Sequence, residues 1–92
     1  DDYLMAHQGY KGVPDPHVWM DPNGWMKAVE VVAESMAKVD PTHADEYHTN
    51  AEAYLNKLRV LDQYAKETMA TIPEQSRVLV TGNDAFGYMG RA

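Results

Sequence analysis

A mainly helical chain that closes on the opening of an α/β unit is the fold class predicted here, on three observations. Aspartate-proline pairs, which are helix-start signals, stand at Asp21-Pro22 and Asp40-Pro41. Each is followed by apolar residues spaced alternately three and four apart, the repeat of a helix face. Beyond them, Arg77-Val78-Leu79-Val80-Thr81 runs into Gly82-Asn83-Asp84, a β-branched segment meeting a turn.

The first twenty residues read as loop, punctuated by Gly9, Gly12, Pro14 and Pro16. Asp21 caps a helix over about 22–39, whose stripe is Trp25, Val29, Val32, Met36 and Val39. The second start opens one long helix over about 41–71, stopped before Pro73. Its stripe runs Ala44, Tyr47, Ala51, Tyr54, Leu58, Leu61, Ala65, Thr68, Ile72, with Asp62 and Lys66 set for an i,i+4 ion pair. Such a helix is roughly 45 Å long at ~1.5 Å per residue. A compact domain of ~100 residues has a radius of gyration near ~13 Å, so the helix outgrows its own chain. It either joins two parts of a larger protein or pairs with a second copy. A short strand over about 77–81 follows, and Ala85 to Arg91 starts another helix. Strand, turn and helix in that order begin an α/β unit.

Composition narrows the function. The 92 residues are 45% hydrophobic and carry a formal charge of −6. That balance argues against nucleic acid or an anionic membrane surface as partner, since both recruit lysine and arginine clusters. There is no cysteine, so disulfides and thiolate metal sites are excluded. No apolar run approaches the ~20 residues of a membrane span, and no signal peptide is visible. The start at Asp1-Asp2, without methionine, suits a mature form or an internal piece.

Asp15-Pro16-His17-Val18-Trp19-Met20-Asp21-Pro22 holds the residue of greatest chemical interest. Proline restricts its own φ and the residue before it, so His17 sits on a stiff segment that can aim an imidazole one way. It reads as a metal ligand or as a buried ring hydrogen-bonded near Trp19. Asp21 is a candidate partner for that ring, in competition with capping the helix. His7 reads as a solvated loop residue. His43 and His48, five apart on the long helix, point about 140° away from each other and cannot share a metal. Asn83 and Asp84 stand where α/β sheets bind ligands, beyond a strand's carboxyl end, and equally where helix caps belong.

Two segments in this order carry a resemblance: Asp15-Pro16-His17-Val18-Trp19-Met20-Asp21-Pro22 and, beyond the long helix, Val78-Leu79-Val80-Thr81-Gly82-Asn83-Asp84-Ala85-Phe86-Gly87-Tyr88. Together they resemble the zinc- and manganese-binding solute-binding proteins of ABC transporters, some of which are labelled adhesins. The match covers nearly the whole chain and about the middle third of a family member. The resemblance implies two α/β lobes joined by a rigid helix. Residues 1–40 would close the first lobe, 41–72 would be the connecting helix, and 73–92 would open the second. It implies a non-enzymatic protein that captures Zn²⁺ or Mn²⁺ for a membrane permease, in the periplasm or outside the cytoplasmic membrane, and lipid-anchored in some members. Family sites use four side chains. The second maps to His17 and the third, a histidine or glutamate in the family, to Asn83; the first and fourth have no counterpart here. Asparagine is a departure, because its amide oxygen is neutral and hard, weak for zinc and tolerable for manganese. Asp84 is an acidic alternative one position on.

Two other readings compete. Val78 to Gly82, with Gly87 and Gly90, resembles part of a nucleotide-binding turn, although Ala85 stands where one form of that motif has glycine. The long helix alone would suit a dimerisation module.

Overall fold

The computed structural model describes residues 3–7 and 11–92. Helices α1 (Pro22–Val39) and α2 (Ala44–Ala70) form an antiparallel hairpin, and a short helix α3 (Gly87–Arg91) closes the chain. The Asp21 carboxylate caps α1, accepting the Asn23 backbone N–H at 2.9 Å, with Pro22 next in the first turn. Helix α1 ends where expected, the Asp40 N–H closing on the Met36 carbonyl at 2.9 Å.

The second helix differs from expectation in its first turn. Pro41–His43 is a 3₁₀ turn, and regular α-helix begins only at Ala44. Tight i→i+3 turns commonly lead into helices, and here the His43 N–H reaches the Asp40 carbonyl at 3.2 Å. Asp45 and Glu46 then favour the positive end of the helix. At the other end Arg77 folds back, its Nε donating to the Ile72 carbonyl at 2.8 Å and Nη2 to Ala70 at 3.4 Å. A cation bonded to the last carbonyls suits a helix C-terminus. The anticipated Lys66–Asp62 pair forms at 2.9 Å.

Asp40 ties the hairpin's corner. Its Oδ2 accepts the Tyr47 hydroxyl and is paired with His43 Nδ1, each at 2.7 Å. These contacts, the tyrosine first, hold the Asp40 carboxyl below its ordinary value of 3.8. A folded-state value below the unfolded one means the contribution to stability is present above about pH 4 and is lost as pH falls through the depressed value. We expect acid to lower the melting temperature of the full-length protein less steeply once Asp40→Asn removes this carboxylate. Melting curves of both proteins between pH 6 and pH 3 check it; parallel decline would exclude Asp40.

Ala33 of α1 and Leu55 and Leu58 of α2 are buried. Asn23 at the head of α1 reaches Asp62 near the tail of α2 at 3.4 Å. Trp25, Val32 and Met36 of the first stripe line one groove with Tyr47 and Tyr54 of the second, yet much of both stripes stays uncovered: Trp25, Val32, Met36, Tyr54 and Leu61 are about half exposed or more. The molecule is elongated, with a radius of gyration of 16.4 Å and extents of 52 × 35 × 22 Å.

The expected strand at 77–81 is not formed. The segment lies outside any sheet, with Val78, Leu79 and Val80 exposed. A strand exists only when a neighbour takes up its N–H and C=O groups, and none of the described residues lies alongside. The isolated bridge among them joins Ala6 to Pro14 in what reads as loop, closed by His7 N–H to Val13 O at 3.1 Å and Asp15 N–H to Met5 O at 2.8 Å. Gly12, at φ 77°, supplies the left-handed residue of that turn. The last helix starts at Gly87, two residues later than expected.

Candidate metal-ligating segment

The rigid geometry expected of Asp15-Pro16-His17 takes a specific form. The Asp15 side chain folds forward over Pro16, and its Oδ1 accepts the His17 backbone N–H at 3.0 Å. The same oxygen lies 2.5 Å from His17 Nδ1. A carboxylate only accepts, so Nδ1 carries a proton, and in the neutral form of the ring the lone pair is on Nε2. The chain then turns through a 3₁₀ segment at Val18–Met20. The Trp19 ring packs edge-on to the imidazole, centroids 5.2 Å apart. The imidazole is one-fifth exposed and the Asp15 side chain one-tenth. The His17 N–H holds the Asp15 carboxyl below its ordinary value, overcoming the opposite push of burial, and the ring adds to this.

The ring's partner is therefore Asp15, not Asp21. Asp21 is almost fully buried, at 3% exposure. Its Oδ1 is taken by Asn23 and its Oδ2 accepts the Tyr3 hydroxyl at 2.9 Å. The signal for Asp15 was present in the sequence: aspartate two residues ahead of a backbone N–H forms an Asx turn.

A second tie was not anticipated. Tyr88, on α3, is completely buried. Its hydroxyl donates to the Asp15 carbonyl at 2.6 Å and accepts the Met5 N–H at 3.0 Å. Its ring stacks on Tyr3 at 5.7 Å, and the Arg91 guanidinium lies 4.8 and 5.2 Å from the Tyr3 and Tyr88 rings. Burial and the Asp21 bond push the Tyr3 hydroxyl up to about 12. The segment that ends in Phe86-Gly87-Tyr88 is thus locked beneath the loop that carries His17.

Asn83 is exposed in the turn between Thr81 and Ala85. Its backbone is fixed by Thr81, whose Oγ1 accepts the Asn83 N–H at 2.9 Å and donates to its carbonyl at 2.7 Å. Neither Asn83 nor Asp84 caps α3, which has Phe86 at its N-cap and no side-chain cap. His43 is held by Asp40, His48 is exposed, and His7 is half-buried rather than fully solvated. Among the described residues, no three of His, Asp or Glu gather at one point.

Known proteins show the same arrangement of segments. The chain is 45% identical over 76 residues to the manganese-binding lipoprotein MntA of Bacillus subtilis, covering 83% of this chain and 25% of that protein. It is 34% identical over 92 residues to the metal ABC transporter substrate-binding lipoprotein SsaB of Streptococcus sanguinis, covering all of this chain and 30% of that one. The solved structure of the periplasmic zinc-binding protein TroA from Treponema pallidum superposes with a TM-score of 0.84 at 38% identity, over 92% of this chain and 31% of that chain. The chain therefore spans between a quarter and a third of these relatives. Residues 2–92 match the family described as ZnuA, zinc-uptake complex component A, periplasmic, and the chain belongs to that family.

Proposed function

We propose that the full-length protein captures one divalent cation, Zn²⁺ or Mn²⁺, outside the cytoplasmic membrane and hands it to an ABC-type permease, with no catalytic step of its own. This chain supplies its middle: residues 1–40 finish the first lobe, 41–72 connect, and 73–92 begin the second. His17 donates its Nε2 lone pair to the metal, and the turn at Asn83 supplies an oxygen from the other lobe. The remaining ligands belong to the rest of the parent protein. The metal is cargo and must leave again.

The Asp15–His17 pair carries this reading. A carboxylate on one ring nitrogen is the standard means of presenting the other nitrogen to a metal, because it sets the tautomer and raises the ring's basicity. The family membership and the metals named for the relatives point the same way. The uncovered stripe of α2 and the unpaired Val78–Val80 segment suit a helix and strand that other parts of the parent cover, so pairing with a second copy is not invoked. No helix among the described residues is long and apolar enough to cross a membrane. The nucleotide-binding alternative is not favoured, since the relatives are named as metal-binding proteins.

Titrating the metal-depleted full-length protein with zinc and with manganese should give one equivalent bound. Crystals soaked in either metal should show anomalous density at the His17 ring. Density elsewhere only, or no saturable binding, would overturn the proposal.

A further inference from the structure

We propose that the Tyr88 hydroxyl is a positioning group for His17, holding the loop that aims the imidazole and coupling it to the segment that carries Asn83. The inference rests on His17 being a ligand, as proposed above, and adds a residue with no direct contact to metal.

The loop bearing His17 is fastened at both ends by tyrosines. At its start, the Tyr88 hydroxyl bonds the carbonyl of Asp15, the residue whose carboxylate grips the imidazole. At its end, the Tyr3 hydroxyl bonds Asp21. The two rings stack on each other, so the fastenings form one unit. The Tyr88 hydroxyl is satisfied in both senses, donating to Asp15 and accepting from Met5. Buried groups of this kind hold geometry closely, because a displaced hydroxyl leaves a carbonyl and an N–H unpaired away from water.

The partners of Tyr88 are 73 and 83 positions away in sequence, whereas Asn83 precedes it by five. One hydroxyl thus joins the second motif to the first across the length of the chain. If both motifs contribute to one site, their separation is fixed in part here, alongside the bond from the Arg91 guanidinium to the Tyr3 carbonyl at 2.8 Å. A purely structural role would need only the buried ring. The hydroxyl contributes direction, because it addresses the same residue that orients His17.

Tyr88→Phe keeps the buried, stacked ring and removes both hydrogen bonds. In the full-length protein we expect zinc or manganese to leave three- to tenfold faster, with one metal still bound. Nitrogen NMR of the metal-free protein should show the His17 ring as the Nδ1–H tautomer in wild type and as a mixture in the variant. Leu58→Val, which loosens the helix seam away from the site, serves as comparison: its melting temperature should fall while metal release and the His17 tautomer stay as in wild type. Unchanged release and tautomer in Tyr88→Phe, while His17→Ala still loses metal, would overturn the role of Tyr88 and leave the site standing. Equal acceleration in Leu58→Val would reduce the effect to general loosening and also overturn it. Undiminished binding by His17→Ala would remove the site itself.

Discussion

Full-length protein carrying His17→Ala should bind zinc or manganese at least tenfold more weakly than wild type, with its helical content and melting temperature little changed. Tenfold corresponds to about 1.4 kcal/mol, a minimum for losing a nitrogen donor from a small site. The fold should tolerate the change because the loop is fastened by bonds that do not use the imidazole, among them the Tyr88 hydroxyl to the Asp15 carbonyl and the Tyr3 hydroxyl to Asp21. The backbone bond from residue 17 to Asp15 needs no imidazole and persists. What disappears is the lone pair on Nε2, and with it the use of an otherwise well-formed loop. Competition titration against a chelator of known affinity measures this. Equal affinities in the two proteins would place the metal elsewhere.

How much of this was legible in the sequence differs by element. Helix α1 was, to the residue, because Asp21-Pro22 marks its start by chemistry that acts locally. Most of α2 was readable for the same reason; its 3₁₀ first turn was not, since the choice between i→i+3 and i→i+4 bonding at Pro41 is a matter of small energies. The strand at 77–81 failed for a different reason. Val78, Leu79 and Val80 have the composition of a strand, but composition states what a segment would do with a partner and does not supply one. Among site residues, the stiffness around His17 followed from its prolines. The identity of its carboxylate partner did not, because aspartates stand close on both sides of His17, at 15 and 21, and proximity alone does not choose between them. An Asx turn would have pointed to Asp15. Tyr88 was beyond reach: a contact across 73 positions leaves no local pattern, and a tyrosine inside a quoted motif says nothing of where its hydroxyl goes.

Asn83→His should move the full-length protein toward zinc, raising zinc affinity about tenfold or more while manganese affinity changes less. Zinc is held best by nitrogen and sulfur donors in tetrahedral sites, whereas manganese accepts hard oxygen donors. An amide oxygen at this position therefore penalises zinc more than manganese. The substitution is also structurally mild. Thr81 sets the turn through the backbone of residue 83 alone, and the side chain is exposed, so an imidazole displaces nothing. Helix α3, anchored through Tyr88, keeps the turn where it is. The measurement is the ratio of zinc to manganese affinity in wild type and variant under one buffer and pH. A ratio that does not rise would mean residue 83 faces away from the ion, and would shift attention to Asp84, whose carboxylate is the other oxygen donor of the same turn. A rise confined to zinc would mark the asparagine as a residue that sets metal preference, because the two cations differ in the donor they prefer and the rest of the site is held constant.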